Sequence, residues 1–355
     1  MMLSACEKEP IKIGFIGSLT SKNSQPSIDA RNAILLGIDQ VNALGGVDGR
    51  LIELVVKDDG ADTNIAIERH NEFIKENVKL VLGHMTSNMS TAVLKSQSDQ
   101  LLFISPTMGS SNLQGLDDYF IRMFPLTNNQ AVTFLELVDV LNVQSAIILY
   151  DVMNAEYTEN MAKYAEALNS KSKRIQLKLM PFDSRTDDLK SVANQIVNER
   201  DFELVLFISQ AIDTAILAQV VKNERPDITL CSVFWSMTED LILNGGDAIE
   251  EMYFIGLNKS QYPSDAYINF QDDFYDKYQY RPSSMSALSY DAFNVLIDAI
   301  EISKEDSPVN IKNAILKQRK IEGLEEAFEI DRYGDNNRTF MIYQLIDNDF
   351  VPLYN

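Results

Sequence analysis

The chain has 355 residues, enough for two domains of ordinary size, and a globular composition that is 45% hydrophobic and 23% charged. A formal charge of −21 argues against nucleic acid as a partner and against adsorption to anionic lipid, since like charges repel. No apolar run of about eighteen residues occurs, so no transmembrane helix is expected.

The opening "MMLSACEKEP" contains Leu3-Ser4-Ala5-Cys6, which is similar to the bacterial lipobox, where Leu and two small residues lead to a lipidated cysteine. The charged and apolar regions that normally precede a lipobox are missing. Its position, ahead of a polar tether and a strand beginning at Ile11, favours lipidation of Cys6 over a chance match. Cys231, within the apolar "DITLCSVFW", then has no partner and is expected as a small buried thiol.

"IKIGFIG" (Ile11 to Gly17) reads as a buried strand, and Ala30, Ile34, Ile38 and Val41 recur at helical spacing. "LGGVDGR" supplies a glycine stop and a turn. "LIELVVKD", "VKLVLG" and "LLFIS" are further strands, with helices at 63–76 and 87–98 between them. After "YFIRMFPLTNN" the rhythm restarts. "SAIILYD", "IQLKLMPF", "FELVLFIS" and "ITLCSVFW" read as strands, with helices at 156–168, 187–199 and 213–221. The basic stretch "NSKSKR" (Asn169 to Arg174) reads as a solvated helix end. Strands alternating with helices imply parallel sheets with right-handed crossovers, and two such runs imply two similar α/β lobes.

From Asp265 the character changes: two long helical stretches, "AYINFQDDFYDKYQ" and "SALSYDAFNVLIDAIEIS", a shorter one at 309–318, then short strands around a turn. Asp331, Asp335 and Asn336 lack the glutamate that closes an EF-hand loop, so hairpin chemistry is expected there rather than calcium.

Catalytic signatures are absent from the sequence: there is no Walker A loop, no G-x-G-x-x-G, no G-x-S-x-G and no H-E-x-x-H. The two histidines, His70 and His84, leave little for a metal site, and no metal or cofactor is expected. His70, in "ERHNEF", reads as a surface residue. His84 lies at a strand end, where it fixes the loop or touches a ligand. Small polar loops do follow the strands: "GSLTSKNSQ", "GHMTSNMS" and "SPTMGSSN" in the first run, and "YDVMNAEYTEN", "SQAIDTA" and "FWSMTED" in the second. In open α/β sheets ligands bind at the carboxyl ends of strands. Three equivalent loops per lobe read as the two jaws of one cleft.

These residues resemble the type I periplasmic solute-binding proteins, in the branch that includes leucine/isoleucine/valine-binding proteins. The resemblance spans nearly the whole chain. It is carried by "GIDQVNALGGVDGRLIELVVKDD" (from Gly37), "GHMTSNMSTAVL", "FISPT", "DYFIRMFP", "YDVMNAEYTENM", "FWSMTEDLILNGGDAIE" and "LSYDAF". It implies two Rossmann-like lobes with parallel central sheets joined by a three-segment hinge. Residues 1–9 would form the lipoprotein N-terminus and tether, 10–126 plus 256–331 one lobe, and 127–255 plus 332–355 the other, the late helices covering the first sheet. It implies capture of a small solute, most simply an amino acid, and delivery to an ABC importer permease from the periplasm or cell surface. The lipid anchor would be the only membrane contact. A small organic or aromatic acid lacking an amine, or a ligand-sensing subunit of a membrane receptor, is the alternative.

The resemblance places Ser87, beside Thr86, where a hydroxyl holds a ligand carboxylate; capping its helix is the plainer role. Thr107, next to Met108, matches a position whose backbone faces the ligand. Gly109 falls where amino-acid binders usually carry a hydroxyl, which removes one anchor and leaves an N–H. Tyr157, with Asn154 in the same loop, matches the aromatic that closes over the ligand, or else packs within its helix. Asp213 is either a helix cap or an amine partner, and Trp235 either core or a ligand contact.

Overall fold

A computed structural model describes residues 8–22, 24–94 and 100–353; Cys6, the expected lipidation site, lies outside them. The chain divides into two compact units. Unit 1 comprises residues 1–108, 113–125 and 259–337, and unit 2 comprises 109–112, 126–258 and 338–355.

In unit 1 the order is β1 (Ile11–Gly17), α1 (Gln25–Ala43), β2 (Ile52–Asp58), α2 (Thr63–Lys75), β3 (Leu80–Leu82), α3 (Ser87–Leu94), β4 (Leu102–Ser105) and β5 (Phe120–Arg122). These strands form one parallel sheet in the order β2-β1-β3-β4-β5. β1, β3, β4 and β5 are buried on both faces, which is why they read as apolar runs rather than alternations, whereas the edge strand β2 is only partly buried. The Asp62 side chain caps α2 by accepting from Asn64 N (2.7 Å) and Ile65 N (3.2 Å). The helix expected over 87–98 is described as far as Leu94.

Unit 2 follows with α4 (Thr127–Val140), β6 (Ser145–Asp151), α5 (Ala155–Ser172), β7 (Gln176–Phe182), α6 (Leu189–Asn198), β8 (Leu204–Ile208), α7 (Ala211–Glu224), β9 (Thr229–Val233), α8 (Glu239–Gly245) and β10 (Tyr253–Leu257). The chain returns to unit 1 as α9 (Asp265–Tyr278), α10 (Ser284–Ser303), α11 (Pro308–Gln318) and the short pair β11 (Lys320–Glu322) and β12 (Ala327–Glu329). It finishes in unit 2 with the hairpin β13 (Phe340–Ile346) and β14 (Asp349–Pro352). The second sheet has the order β14-β13-β10-β9-β8-β6-β7, parallel from β6 to β10, with the terminal hairpin antiparallel against β10.

The core of unit 1 lies on both sides of its sheet. On one, Ile34 and Ile38 of α1, Phe293, Leu296 and Ile300 of α10, and Ile311 and Ile315 of α11 meet Ile13, Phe15, Leu82 and Ile104. On the other, Ala66 and Phe73 of α2 and Met89 and Val93 of α3 meet Val81 and Phe103. Thus α10 and α11 cover the first sheet. In unit 2, α6 and α7 pack through Val192, Ile196, Leu217 and Val221 onto Ile147, Val205 and Phe207, and Cys231 is fully buried in β9. Burial pushes the Cys231 thiol well above its ordinary range, so it behaves as a small apolar side chain.

Two expectations are corrected, at His70 and at the end of β9. His70 is not at the surface: Ala66, His70 and Phe73 share the buried stripe of α2, and His70 is only 2% exposed. The strand ending in "VFW" stops at Val233, and Phe234–Ser236 forms a single 3₁₀ turn. Around 331–336 the Asp331 carboxylate accepts from Tyr333 N (2.8 Å) and Asp335 N (3.0 Å), an Asx turn closing a narrow loop. Asp335 then pairs with buried Arg122 at 2.7 Å.

Candidate functional site

Both sheets reverse strand order at an interior point. In unit 1 the chain moves outward from β1 to β2 and then crosses back to β3 on the other side of β1. In unit 2 it moves from β6 to β7 and crosses back to β8. Outside the carboxyl ends of the two strands flanking such a switch point, the loops diverge and leave a crevice. The flanking loops begin at Ser18 and Gly83 in unit 1, and at Val152 and Ser209 in unit 2.

In unit 1, β3 ends at a glycine for a steric reason. Gly83 has φ +130°, and a Cβ there would lie 2.3 Å from the Ile16 carbonyl of β1. Beyond it, hydroxyls sew the loops after β3 and β4 together. Ser105 Oγ donates to the His84 carbonyl at 2.6 Å, Thr107 Oγ1 to the Met85 carbonyl at 2.5 Å, and Met108 N to Ser105 Oγ at 3.2 Å. The structure thereby brings His84, Thr86, Ser87, Thr107 and Met108 into one cluster. Ser90 N donates to the Thr86 carbonyl at 3.1 Å, so Thr86 holds the cap position of α3 and Ser87, which is buried, is its first residue. His84 is buried with Nδ1 3.4 Å from Asp59 and its ring stacked on Phe103 at 5.8 Å, which fixes the loop. His70 stacks on the same Phe103 at 5.5 Å. Burial, with the His84 charge adding to it, lowers the His70 imidazole to about 4.

Unit 2 presents different chemistry. Asp151, the last residue of β6, is fully buried; its carboxylate accepts from Met153 N at 3.0 Å and from Ser184 Oγ at 2.6 Å. Burial pushes this carboxyl up, and the charge of Asp213 adds to the push against the pull of those hydrogen bonds. Asp213 is also fully buried. It stands in the first turn of α7, whose cap is Gln210, so it is an acid at a helix start rather than the cap. Tyr157, in the first turn of α5, packs edge-to-face on Trp235 with ring centroids 5.9 Å apart. Its hydroxyl donates to Gln130 Oε1 at 2.7 Å, and Gln130 Nε2 donates to the Ile255 carbonyl at 2.9 Å. Burial pushes the Tyr157 hydroxyl far up, so it remains a neutral donor. Asn154 is the buried residue before α5, its carbonyl accepting from Thr158 Oγ1 at 3.3 Å. Gly109 belongs to unit 2 and accepts from Thr127 N at 2.9 Å.

Asp59, Asp151, Gln130 and Ser184 take part in these networks although the sequence reading did not single them out. Asp59 and Asp151 had a legible signal, as acids closing "VVKDD" and "IILYD" directly after apolar strands. Gln130 and Ser184 had none, because their partners lie far along the chain. Among the described residues no group of three or more His, Cys, Asp or Glu side chains could hold a metal ion.

Two Rossmann-like units interleaved along one chain, each with its polar loops at a topological switch point, define the class as a bilobal α/β binding fold. The periplasmic binding protein family matches residues 10–349, and the chain belongs to that family. A leucine-, isoleucine-, valine-, threonine- and alanine-binding protein of Pseudomonas aeruginosa is 32% identical over 100 residues, 28% of this chain and 27% of that relative. The matched stretch thus spans about a quarter of that relative's length. A branched-chain amino acid transporter substrate-binding protein of Streptococcus pneumoniae, solved with isoleucine, superposes with a TM-score of 0.83 at 20% identity, covering 97% of this chain and 99% of that one. A solute-binding protein of an R. palustris ABC transporter, solved with benzoate, gives 0.86 at 15% identity, covering 97% and 95%. At such identities the agreement is one of fold.

Proposed function

We propose that this chain is the extracytoplasmic solute-binding component of an ABC importer and that it captures an amino acid with an apolar side chain. In this reading the start of α3, with Thr86 and Ser87, and the backbone at Thr107, Met108 and Gly109 receive the ligand carboxylate. A helix start favours an anion, and a buried carboxylate needs charge-assisted hydrogen bonds. Asp213 pairs with the ammonium group, Tyr157 and Trp235 cover the apolar tail, Asn154 borders them, and His84 holds the first loop in place. The lobes, 10–126 plus 256–331 and 127–255 plus 332–355, close around the solute and release it to the permease without chemical change. Lipidation of Cys6 keeps the protein beside that permease.

The observation that carries this reading is the division of polar groups at the two switch points. Hydroxyls and a helix start stand at one, and the buried acids Asp151 and Asp213 at the other, a pairing that suits a zwitterion. A carboxylate without an amine is the second reading, and Gly109 favours it, since a glycine there offers one donor fewer than a hydroxyl residue. A thermal-shift screen of leucine, isoleucine, valine and benzoate tests both. A ligand at a hundredfold excess over its Kd adds about 2.7 kcal/mol to stability. Stabilisation by an aliphatic amino acid supports the first reading, stabilisation by benzoate alone supports the second, and no response to any carboxylate overturns both.

A further inference from the structure

We propose that Arg122, Asp335 and Asn336 anchor the hinge: they lock two of the chain's crossings together within unit 1, so that lobe movement turns on Pro125, Lys259 and Arg338. The inference rests on the lobe closure of the reading above, and it names positioning residues rather than residues that touch the solute. Apart from the short segment 109–112, the chain passes between the units at Pro125–Leu126, Asn258–Lys259 and Asn337–Arg338. Within unit 1 the approaches to the first and last of these crossings run side by side. Arg122 N donates to the Gly334 carbonyl at 3.0 Å, and Asn336 Nδ2 donates to the carbonyls of Arg122 and Phe124, each at 3.0 Å. Gly334 permits so close an approach: it has φ +89°, and a Cβ there would lie 2.4 Å from the Phe120 carbonyl. The fully buried Arg122 side chain pairs with one oxygen of Asp335 at 2.7 Å, and the other oxygen accepts from Gly115 N at 2.8 Å.

These bonds leave one residue to bend in each crossing. The first crossing is held in unit 1 as far as the Phe124 carbonyl, and in unit 2 from Leu126, whose carbonyl accepts from Asn129 N at 3.0 Å at the start of α4. Pro125 lies between, and its ring fixes φ, so this crossing turns about ψ. In the last crossing Asn337 N donates to the Glu329 carbonyl at 3.2 Å, and Glu329 N donates to Asn337 Oδ1 at 2.7 Å. On the unit 2 side the Thr339 carbonyl accepts from Asn258 N at 2.8 Å, which leaves Arg338 between. The same bond holds the middle crossing as far as Asn258, and in unit 1 Ser260 N donates to the Glu325 carbonyl at 3.2 Å, which leaves Lys259. A few residues that absorb the backbone rotation are what a hinge requires. Stability alone does not account for the buried pair. Apolar residues of similar volume often replace such a pair without loss, whereas a fixed geometry needs directional partners.

The experiment measures the distance between two nitroxides by pulsed electron resonance in the ligand-free full chain. The labels sit at Leu44→Cys in unit 1 and Leu243→Cys in unit 2, 90% and 73% exposed, in a Cys6→Ser background. Buried Cys231 does not take the label. Asn336→Ala deletes both side-chain bonds to the first crossing and should broaden the distance distribution about twofold, since more residues can then bend. Arg122→Met with Asp335→Leu keeps the volume of the pair and deletes its geometry; it should broaden the distribution similarly while the melting temperature holds. A pair that only packs the core would do the reverse, lowering the melting temperature at unchanged width, and that result overturns the anchor. An unchanged width in Asn336→Ala overturns it too, and this variant decides alone if the double variant does not fold. Broadening by Asn336→Ala but not by a folded double variant overturns the role of the ion pair. Leucine and benzoate are added last. A parent distribution that neither shifts overturns lobe closure on these ligands, while the ligand-free widths still decide the anchor.

Discussion

The two switch points share a topology and differ in chemistry. In unit 1 the loops after β3 and β4 are held by neutral groups, with Ser105 and Thr107 donating to the carbonyls of His84 and Met85, and the buried acid Asp59 already faces His84. In unit 2 the equivalent place holds two fully buried acids, Asp151 and Asp213, and an aromatic pair, Tyr157 and Trp235. A symmetric fold has therefore been filled with asymmetric chemistry. In the proposed function the start of α3 receives the anion, and the acids and rings of unit 2 receive a cation with an apolar tail. Topology marks a comparable place in each unit, and the proposed function assigns the ends of a ligand by the side chains found there.

The sharpest way to break this comparison is to remove the acid that gives unit 2 its sign. Asp213→Asn keeps the shape of the side chain and deletes its charge. Removing one partner of a buried charge pair costs about 3–5 kcal/mol, so an aliphatic amino acid should lose roughly two to four decades of affinity by calorimetry. Benzoate, which brings no ammonium, should bind the variant at least as well as the parent. Equal affinity for leucine in parent and variant would remove Asp213 from the site and with it the assignment of an amine.

Protons should also tell the two places apart. His70 titrates near 4 in the folded chain against an ordinary 6.5, so between those values the unfolded chain binds a proton that the native chain refuses. Stability from this group is complete above 6.5 and is lost as pH falls towards 4, by up to about 3 kcal/mol. The raised carboxyl of Asp151 works in the opposite sense, costing stability as pH rises past its ordinary value, and so does Asp118, which burial raises to about 6. The comparison is therefore between the parent and His70→Leu. Denaturant melts at successive pH values should show the parent losing stability relative to the variant on acidification from 6.5 to 4. Parallel curves would mean that unit 1 accommodates the proton on His70 after all.

The strand–helix rhythm of unit 1 was legible because its interior strands are buried on both faces, so "IKIGFIG" and "LVLG" stand out as apolar runs. The polar loops behind them were legible for the same reason, as breaks in that pattern. What escaped depended on contacts distant in sequence. α4 carries Ala131, Phe134, Leu135 and Val138 at helical spacing, yet between two rhythms it reads as a connection. β10 is only "YFIGL" after a glycine-rich turn, and its strand character comes from pairing with β9 and β13. His70 looks exposed among charged neighbours in "ERHNEF", and it is buried because Phe103 of β4 stacks against it. Even Tyr157, which the sequence did single out, acquires its partners Gln130 and Trp235 only through folding.

Those partners allow the finest test, because one atom separates two roles of Tyr157. Tyr157→Phe keeps the ring against Trp235 and deletes the hydroxyl that donates to Gln130. Gln130 is fully buried, so its Oε1 would be left without that donor while its Nε2 still holds the Ile255 carbonyl. An orphaned buried acceptor costs about 1–3 kcal/mol, so the variant should melt earlier by that amount. Its affinity for an aliphatic amino acid should change by less than about threefold, because an apolar tail needs the ring and not the hydroxyl. Trp235 is the chain's one tryptophan, so its fluorescence can follow both the melt and the titration in the same sample. Unchanged stability with a large loss of affinity would reverse the assignment: the hydroxyl would then be spent on the ligand, and unit 2 would contribute a donor to the anion as unit 1 does.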